Sequence, residues 1–210
     1  MHSPLSEFVD PTRKKVALLD DNILAYPKWK QLIEELCKLN KPFTFRQGFD
    51  IRLINKDFIN LINTAKYDKE IFFAFDDIDD RKIVEHKLDL FRSNSKKGVM
   101  MYVFCGYDKH GIYNDDFWVN DISGIFQRLA IIGKYKTYPY LMRYIEYEKS
   151  PYAGLYKSIA EYCNRPQIFK SMSFYEFCMN HDKRDSRNRY YSSFVVNHPK
   201  MMLYIVRIVI

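Results

Sequence analysis

The chain has 210 residues, 47% of them hydrophobic and 28% charged, and this length is typical of a single domain with a substantial core. With seven glycines and eight prolines, its composition excludes collagen-like, low-complexity and generally disordered chains. The 33 basic and 26 acidic residues give a formal net charge of +7, which favours anionic ligands without identifying one.

The cysteines and the apolar runs indicate the cellular compartment of the protein. Four cysteines are too far apart for a disulfide framework or a zinc site: Cys37, Cys105, Cys163 and Cys178. Cys178 and His181 have metal-like spacing, but zinc requires four ligands and no second pair follows. Residues 1–10 have no apolar core after a basic start, and no apolar run reaches roughly 18 residues. We therefore expect a cytoplasmic protein that is neither secreted nor inserted in a membrane.

The apolar pattern predicts alternating strands and helices from the amino terminus onward. A first strand at residues 16–19 is apolar throughout, as expected of a parallel strand covered on both faces. Apolar residues at three- and four-residue intervals then predict a helix up to Leu39, and a second strand follows at residues 43–46. Asn55 is expected to cap the next helix.

The alternation continues to residue 150. Further strands are predicted at residues 71–75, 99–105 and 138–143, with helices between them. Two more helices are predicted near residues 153–163 and 173–179, before a basic stretch at residues 183–189. Five strands separated by helices predict an α/β fold with a parallel sheet, either open and doubly wound or curled into a partial or full barrel.

Polar residues follow each predicted strand. Ligands of parallel α/β folds lie outside the carboxyl ends of the strands, so these residues would converge on one rim. They are Asp20, Asp21, Asn22, Gln47, Asp50, Arg52, Asp76, Asp77, Tyr107, Asp108, Arg143 and Tyr144. Any one of them is explained equally well by the usual polarity of βα loops, with Asp or Asn capping a helix, but polar residues at all five strand ends favour a ligand site.

Common catalytic signatures are absent from the sequence. There is no glycine-rich dinucleotide turn, P-loop, G-x-S-x-G elbow or H-E-x-x-H pair. The adjacent carboxylates Asp20-Asp21 and Asp76-Asp77 could hold a divalent metal, but neighbouring strand-end side chains point in different directions. No catalytic residue and no metal ligand is therefore assigned from motifs.

Several runs carry a resemblance to a known family. They are L-L-D-D-N-I-L-A-Y-P-K-W at 18–29, F-R-Q-G-F-D-I-R-L-I at 45–54, F-F-A-F-D-D at 72–77, Y-V-F-C-G-Y-D at 102–108 and P-Y-L-M-R at 139–143. In order and spacing they resemble the barrel portion of radical S-adenosylmethionine (radical SAM) enzymes, over roughly residues 14–178.

The resemblance implies a partial (β/α) TIM-like barrel with about five parallel strands and with helices on the outside. This barrel would occupy residues 1–150, with helices at 151–182 packing on it and a basic and apolar tail at 183–210. It also implies a SAM-binding role for ten residues. Asp20, Asp21 and Asn22 would hold the SAM amino group, Asp76 the ribose, and Gly106 and Tyr107 the adenine, with Gln47, Asp50, Arg52 and Arg143 on the same rim.

The departure from the family concerns its iron–sulfur cluster. Radical SAM enzymes bind a [4Fe-4S] cluster through C-x3-C-x2-C, and the reducing electron comes from that cluster. The chain contains no such motif. We therefore expect a fragment that keeps most of the SAM-binding rim, lacks the cluster ligands and is inactive as an isolated chain, with a cluster loop and a strand upstream of Met1.

Two other functions remain open. A non-catalytic RNA- or nucleic-acid-binding protein would use the net charge, the basic stretch at 183–189 and the many aromatic residues, although most of these occupy core positions. A barrel hydrolase using Asp20, Asp50 and Asp76 around a metal is less favoured, because no histidine follows a strand. If the first strand lacks an outer neighbour, residues 16–19 present an open edge through which the protein could dimerise or aggregate.

Overall fold

The computed structural model describes residues 5–7, 9–19, 22–180 and 186–202. The strands are β1 (Val16–Leu18), β2 (Phe43–Phe45), β3 (Ile71–Ala74), β4 (Val99–Cys105) and β5 (Tyr138–Arg143). The helices are α1 (Trp29–Lys38), α2 (Lys56–Thr64), α3 (Arg81–Asn94), α4 (Asp115–Lys134), α5 (Ala153–Cys163), α6 (Pro166–Ser171), α7 (Phe174–Met179) and α8 (Ser186–Asn197).

The strands form two parallel sheets, one with the order β1-β2 and one with the order β3-β4-β5. Val16 lies opposite Phe43 in the first sheet, and Met100 lies opposite Tyr138 in the second. The predicted α/β class, the five strands and their parallel direction are confirmed. The chain divides into two compact units, Met1–Ala74 with Ile83–Val99 (unit 1) and Phe75–Lys82 with Met100–Ile210 (unit 2).

An aromatic cluster fills the core of unit 1. The ring of Phe49 lies 5.1 Å from that of Phe45 and 4.9 Å from that of Phe58, so the strand end and α2 share one packing centre. Phe73 packs edge-on against Phe91 of α3, at 5.7 Å. Each fully buried phenylalanine contributes about 1.5–3 kcal/mol to the free energy of unfolding.

The core of unit 2 lies between α4, α5 and α7. Apolar residues at three- and four-residue spacing give α4 a buried face: Trp118, Ile122, Ile125, Leu129 and Ile132. Phe126 of α4 packs against Phe174 of α7 at 5.2 Å. At the outer side of β5, the amide of Asn164 accepts from Leu141 N at 2.7 Å and donates to Leu141 O at 3.1 Å, as a neighbouring strand would.

Local sequence signals fix the starts of several helices. Asn55 caps α2 by accepting from Phe58 N at 2.9 Å, which confirms the predicted cap. Asn114 caps α4 in the same way, by accepting from Phe117 N at 2.8 Å. Ser173 and Glu176 form a reciprocal capping box at the start of α7.

The structure differs from the sequence prediction in three elements. The first strand is not covered on both faces, since Val16 and Leu18 are half-buried, Ala17 is exposed and β1 pairs only with β2 among the described residues. Helix α6 was not predicted. Helix α8 includes part of the predicted basic tail, whose residues 183–185 and 203–210 lie outside the described residues. No helix of the described ranges has the length and apolarity needed to cross a membrane.

Candidate functional site

The predicted site residues of unit 1 follow β1 and β2. Asp20 and Asp21 lie outside the described residues. Asn22 is half-buried and precedes a short 3-10 turn, and Gln47 is exposed after β2. Their placement after β1 and β2 is as expected from the sequence.

Asp50 and Arg52 form a two-pronged ion pair. Asp50 Oδ1 accepts from Arg52 Nε at 2.9 Å, and Asp50 Oδ2 accepts from Arg52 Nη2 at 2.9 Å. Asp50 also caps a 3-10 turn by accepting from Arg52 N at 3.0 Å. Burial acts to raise the pKa of Asp50, but the hydrogen bonds and charge of Arg52 outweigh burial and lower it. Asp50 and Arg52 were each predicted to bind a ligand, but in the structure their side chains pair with each other.

Gly48 lies between Gln47 and this pair and permits a close backbone approach. Its φ is +84°, a conformation that residues with a Cβ rarely adopt. A Cβ at this position would lie 2.9 Å from the carbonyl oxygen of Phe72. Phe49 N donates to the same oxygen at 2.8 Å, so the glycine lets the chain after β2 run against residue 72.

In unit 2, the end of β4 turns sharply at Gly106. Its φ is +75°, and a Cβ there would lie 3.1 Å from the Cβ of Tyr147. Gly106 N donates to Asp121 Oδ2 of α4 at 2.8 Å, which anchors the turn to the helix. The sequence correctly placed Gly106 and Tyr107 directly after the fourth strand.

Three aromatic side chains, Phe104, Tyr107 and Tyr144, surround this turn; we call them the aromatic rim. The Tyr107 ring lies 5.8 Å from Phe104 and 5.0 Å from Tyr144, and Phe104 lies 6.0 Å from Tyr144. Tyr107 is 49% exposed, although such rings are usually largely buried. The aromatic rim therefore offers an accessible π surface at the carboxyl end of a parallel strand.

Asp76 and Arg143 place polar groups beside the aromatic rim. Asp76 is exposed, and its Oδ1 accepts from the backbone N–H of Phe104 at 3.0 Å. Arg143 is the exposed last residue of β5, and its guanidinium lies 4.5 Å from the Tyr147 ring centroid. The structure thus brings four of the predicted residues together in unit 2: Asp76, Gly106, Tyr107 and Arg143.

Sequence analysis missed the buried arginine that supports this region. Arg128 is only 2% exposed, and its Nη1 donates to the carbonyls of Phe75, Asp76 and Phe104 at 3.0, 2.7 and 2.9 Å. Its Nε donates to Gly124 O at 3.1 Å. Burial lowers the pKa of Arg128, opposed by the nearby Asp121 carboxylate.

Asp121 is the second missed residue. Its Oδ2 accepts from Tyr156 OH at 2.6 Å as well as from Gly106 N. Burial raises the pKa of Asp121 despite these hydrogen bonds and the charge of Arg128. The available signal was the seven-residue spacing of Asp121 and Arg128, which places two charges on one side of a helix whose central part is mostly apolar.

Three of the four cysteines are buried. Cys105, Cys163 and Cys178 are buried, and Cys37 is half-buried. Burial raises the pKa of Cys105 and of Cys163, which disfavours the thiolate needed for metal binding. Within the described ranges no three histidine, cysteine or acidic side chains are grouped to hold a metal. The four cysteines therefore do not fit a [4Fe-4S] cluster.

The described part of the basic stretch is engaged within the chain. The Arg187 guanidinium lies 4.6 Å from the Phe177 ring centroid and 3.9 Å from Glu161 Oε1. The Arg189 guanidinium lies 5.4 Å from the Tyr190 ring centroid. The Arg187 contacts attach α8 to α5 and α7, so this charge has a structural role. The nucleic-acid hypothesis assigns the same charge to phosphate binding.

Comparisons with known proteins leave the geometry as the main guide to function. No protein-family model, no curated protein and no solved structure matches this chain.

Proposed function

We propose that this chain is the SAM-binding part of a radical SAM-type partial (β/α) barrel, with the adenosyl group bound at the aromatic rim. The observation that carries the proposal is the half-exposed Tyr107 ring on the anchored Gly106 turn, at the carboxyl end of β4. Stacking of a base on an aromatic side chain contributes about 1–3 kcal/mol to binding. The parallel pairing of strands that alternate with helices supports the barrel architecture.

The neighbouring polar residues suit the remaining parts of SAM. Carboxylate oxygens accept hydrogen bonds from ribose hydroxyls, which is the role proposed for Asp76. A guanidinium pairs with a carboxylate, which is the role proposed for Arg143. When bound, SAM supplies a reactive sulfonium centre. The chain's own contribution is to hold the adenosyl and amino-acid ends of the ligand at a fixed strand end.

The proposal includes no catalytic step. The cysteines do not fit the cluster that radical chemistry requires, so we expect SAM binding without SAM cleavage by the isolated chain. Anaerobic reconstitution with iron and sulfide should give no [4Fe-4S] signal that responds to SAM. Such a signal would contradict the structural role assigned to the four cysteines.

Calorimetric titration with SAM tests the binding proposal. The wild-type chain should bind SAM, and Tyr107→Ala should weaken binding by about tenfold or more, because it removes the stacking surface. Tyr175→Ala is the matched control, since Tyr175 is 43% exposed but lies on α7. Absence of binding, or equal affinity of Tyr107→Ala and the wild type, would overturn the proposal.

Titration with single-stranded RNA, in the same calorimeter, tests the alternative function. Nucleic-acid binding weakens steeply with salt because counterions are released from the phosphates. Tight RNA binding with a steep salt dependence, together with no SAM binding, would favour the nucleic-acid-binding alternative. That alternative stays a prediction from charge and aromatic content.

A further inference from the structure

Strand β1 leaves one edge of its sheet open among the described residues. Strand β2 is bonded on both sides, because it pairs with β1 and also exchanges hydrogen bonds with residues 66–68. Phe43 N donates to Lys66 O at 3.1 Å, and Asp68 N donates to Phe43 O at 2.8 Å. In the described ranges of unit 1, β1 pairs only with β2.

The backbone of β1 defines what this edge can bind. Val16 N donates to Pro42 O at 3.0 Å, and Leu18 O accepts from Arg46 N at 2.9 Å, so these two residues face β2. Successive residues of a strand alternate in the direction of their backbone groups, which turns the N–H and C=O of Ala17 to the outer side. Ala17 is exposed and Leu19 is 76% exposed. The edge therefore combines backbone donors and acceptors with apolar surface, which favours pairing with another extended chain.

We propose that this edge pairs with the same edge of a second copy of the chain, antiparallel and around a two-fold axis at Ala17. Residues that exchange hydrogen bonds across such a pair must both face outward, and Ala17 opposite its own copy meets this condition. Val16 then lies opposite Leu18 of the second copy, so apolar side chains meet across the axis. The methyl group of Ala17 gives the two backbones room to approach at the centre.

Charges that flank β1 select the antiparallel orientation. The sequence has Arg13, Lys14 and Lys15 before the strand and two acidic residues directly after Leu19. Antiparallel pairing brings the basic flank of one copy beside the acidic flank of the other, whereas parallel pairing would bring like charges together. Lys15 Nζ lies 2.9 Å from Asp68 Oδ2 and Arg13 Nε lies 3.4 Å from Asp10 Oδ2 in the same chain, so Lys14 supplies most of this attraction. The edge lies in unit 1, and the inference stands without the SAM proposal.

Sedimentation velocity over a range of protein concentrations tests this interface. The wild-type chain should form a dimer, and Leu19→Lys should raise its dissociation constant at least about tenfold by placing a like charge on both sides of the axis. Val196→Lys is the matched control, since Val196 is 77% exposed but belongs to α8 of unit 2. Circular dichroism establishes that each variant is folded.

Two further variants separate backbone pairing from apolar contact. Ala17→Pro removes the outward N–H without removing a bond to β2, and it should also weaken the dimer. Lys14→Glu should weaken the dimer by reducing the positive charge that faces the acidic flank. A wild-type chain that stays monomeric at every concentration would overturn the proposal, as would a dimer unaffected by Leu19→Lys or a folded Ala17→Pro.

Discussion

Arg128, which is buried, and Asp121, which is half-buried, show how two charged side chains of one helix can hold the end of a strand. Arg128 satisfies backbone carbonyls of residues 75, 76 and 104, while Asp121 accepts the N–H of Gly106. The sequence located the Gly106 turn because glycine after a buried strand is a local signal. It did not reveal the two α4 side chains, because their contacts join residues 15 to 53 positions apart in the chain.

Replacing Arg128 should be strongly destabilising. Arg128→Met keeps the length of the apolar stem but leaves the carbonyls of residues 75, 76 and 104 without this donor and removes the positive charge near Asp121. Leaving a buried acceptor without its donor costs about 1–3 kcal/mol, so we expect the three carbonyls together to lower the free energy of unfolding by about 3 kcal/mol or more. Urea denaturation measures it, with Arg189→Met on the exposed side of α8 as the control. Equal stabilities of the two variants would show that the network contributes little.

The raised pKa of Asp121 predicts a pH dependence with a defined sign. In the unfolded chain Asp121 titrates near its ordinary pKa of 3.8, whereas burial raises the pKa in the folded chain. Between these values the folded state binds more protons, so the free energy of unfolding falls as pH rises through this window. Relative to Asp121→Asn, the wild type should therefore lose stability with rising pH. A relative gain over the same range, measured by urea denaturation at several pH values, would mean that the folded pKa is lowered.

At the scale of elements, the sequence predicted what local signals encode. Apolar runs gave all five strands, and the bounds of β4 match the prediction at both ends. Helix α6 is only six residues long, too short for helical periodicity to be distinguished. Helix α8 begins within a polar, basic stretch, and its position depends on contacts such as Arg187 with Phe177, which the local sequence does not encode.

The cap of α4 gives a prediction at this scale. Asn114→Ala removes the acceptor for Phe117 N and should lower the free energy of unfolding by about 1 kcal/mol. Asn114→Asp is the conservative control, because its carboxylate also accepts at a helix start and should retain most of the stability. Thermal unfolding compares the two variants. An alanine variant as stable as the wild type would show that water replaces the cap at no cost.

At the scale of the whole molecule, the two compact units contain different features. Unit 1 contributes the outer strand β1 and the Asp50–Arg52 pair, and unit 2 contributes the aromatic rim on its anchored turn. The α/β class followed from the alternation of strands and helices. The roles of individual strand-end residues did not follow from this alternation. The sequence cannot show that Asp50 pairs with Arg52 while Tyr107 stays accessible.

Amide hydrogen exchange with and without SAM tests the central claim most directly, because it reports where the ligand binds as well as whether it binds. We predict that saturating SAM slows exchange in the peptides that contain the Gly106 turn and Tyr144, while peptides from α8 exchange unchanged. Saturation with no protection at the turn, or protection confined to other elements, would contradict the assignment of the adenosyl site to the aromatic rim.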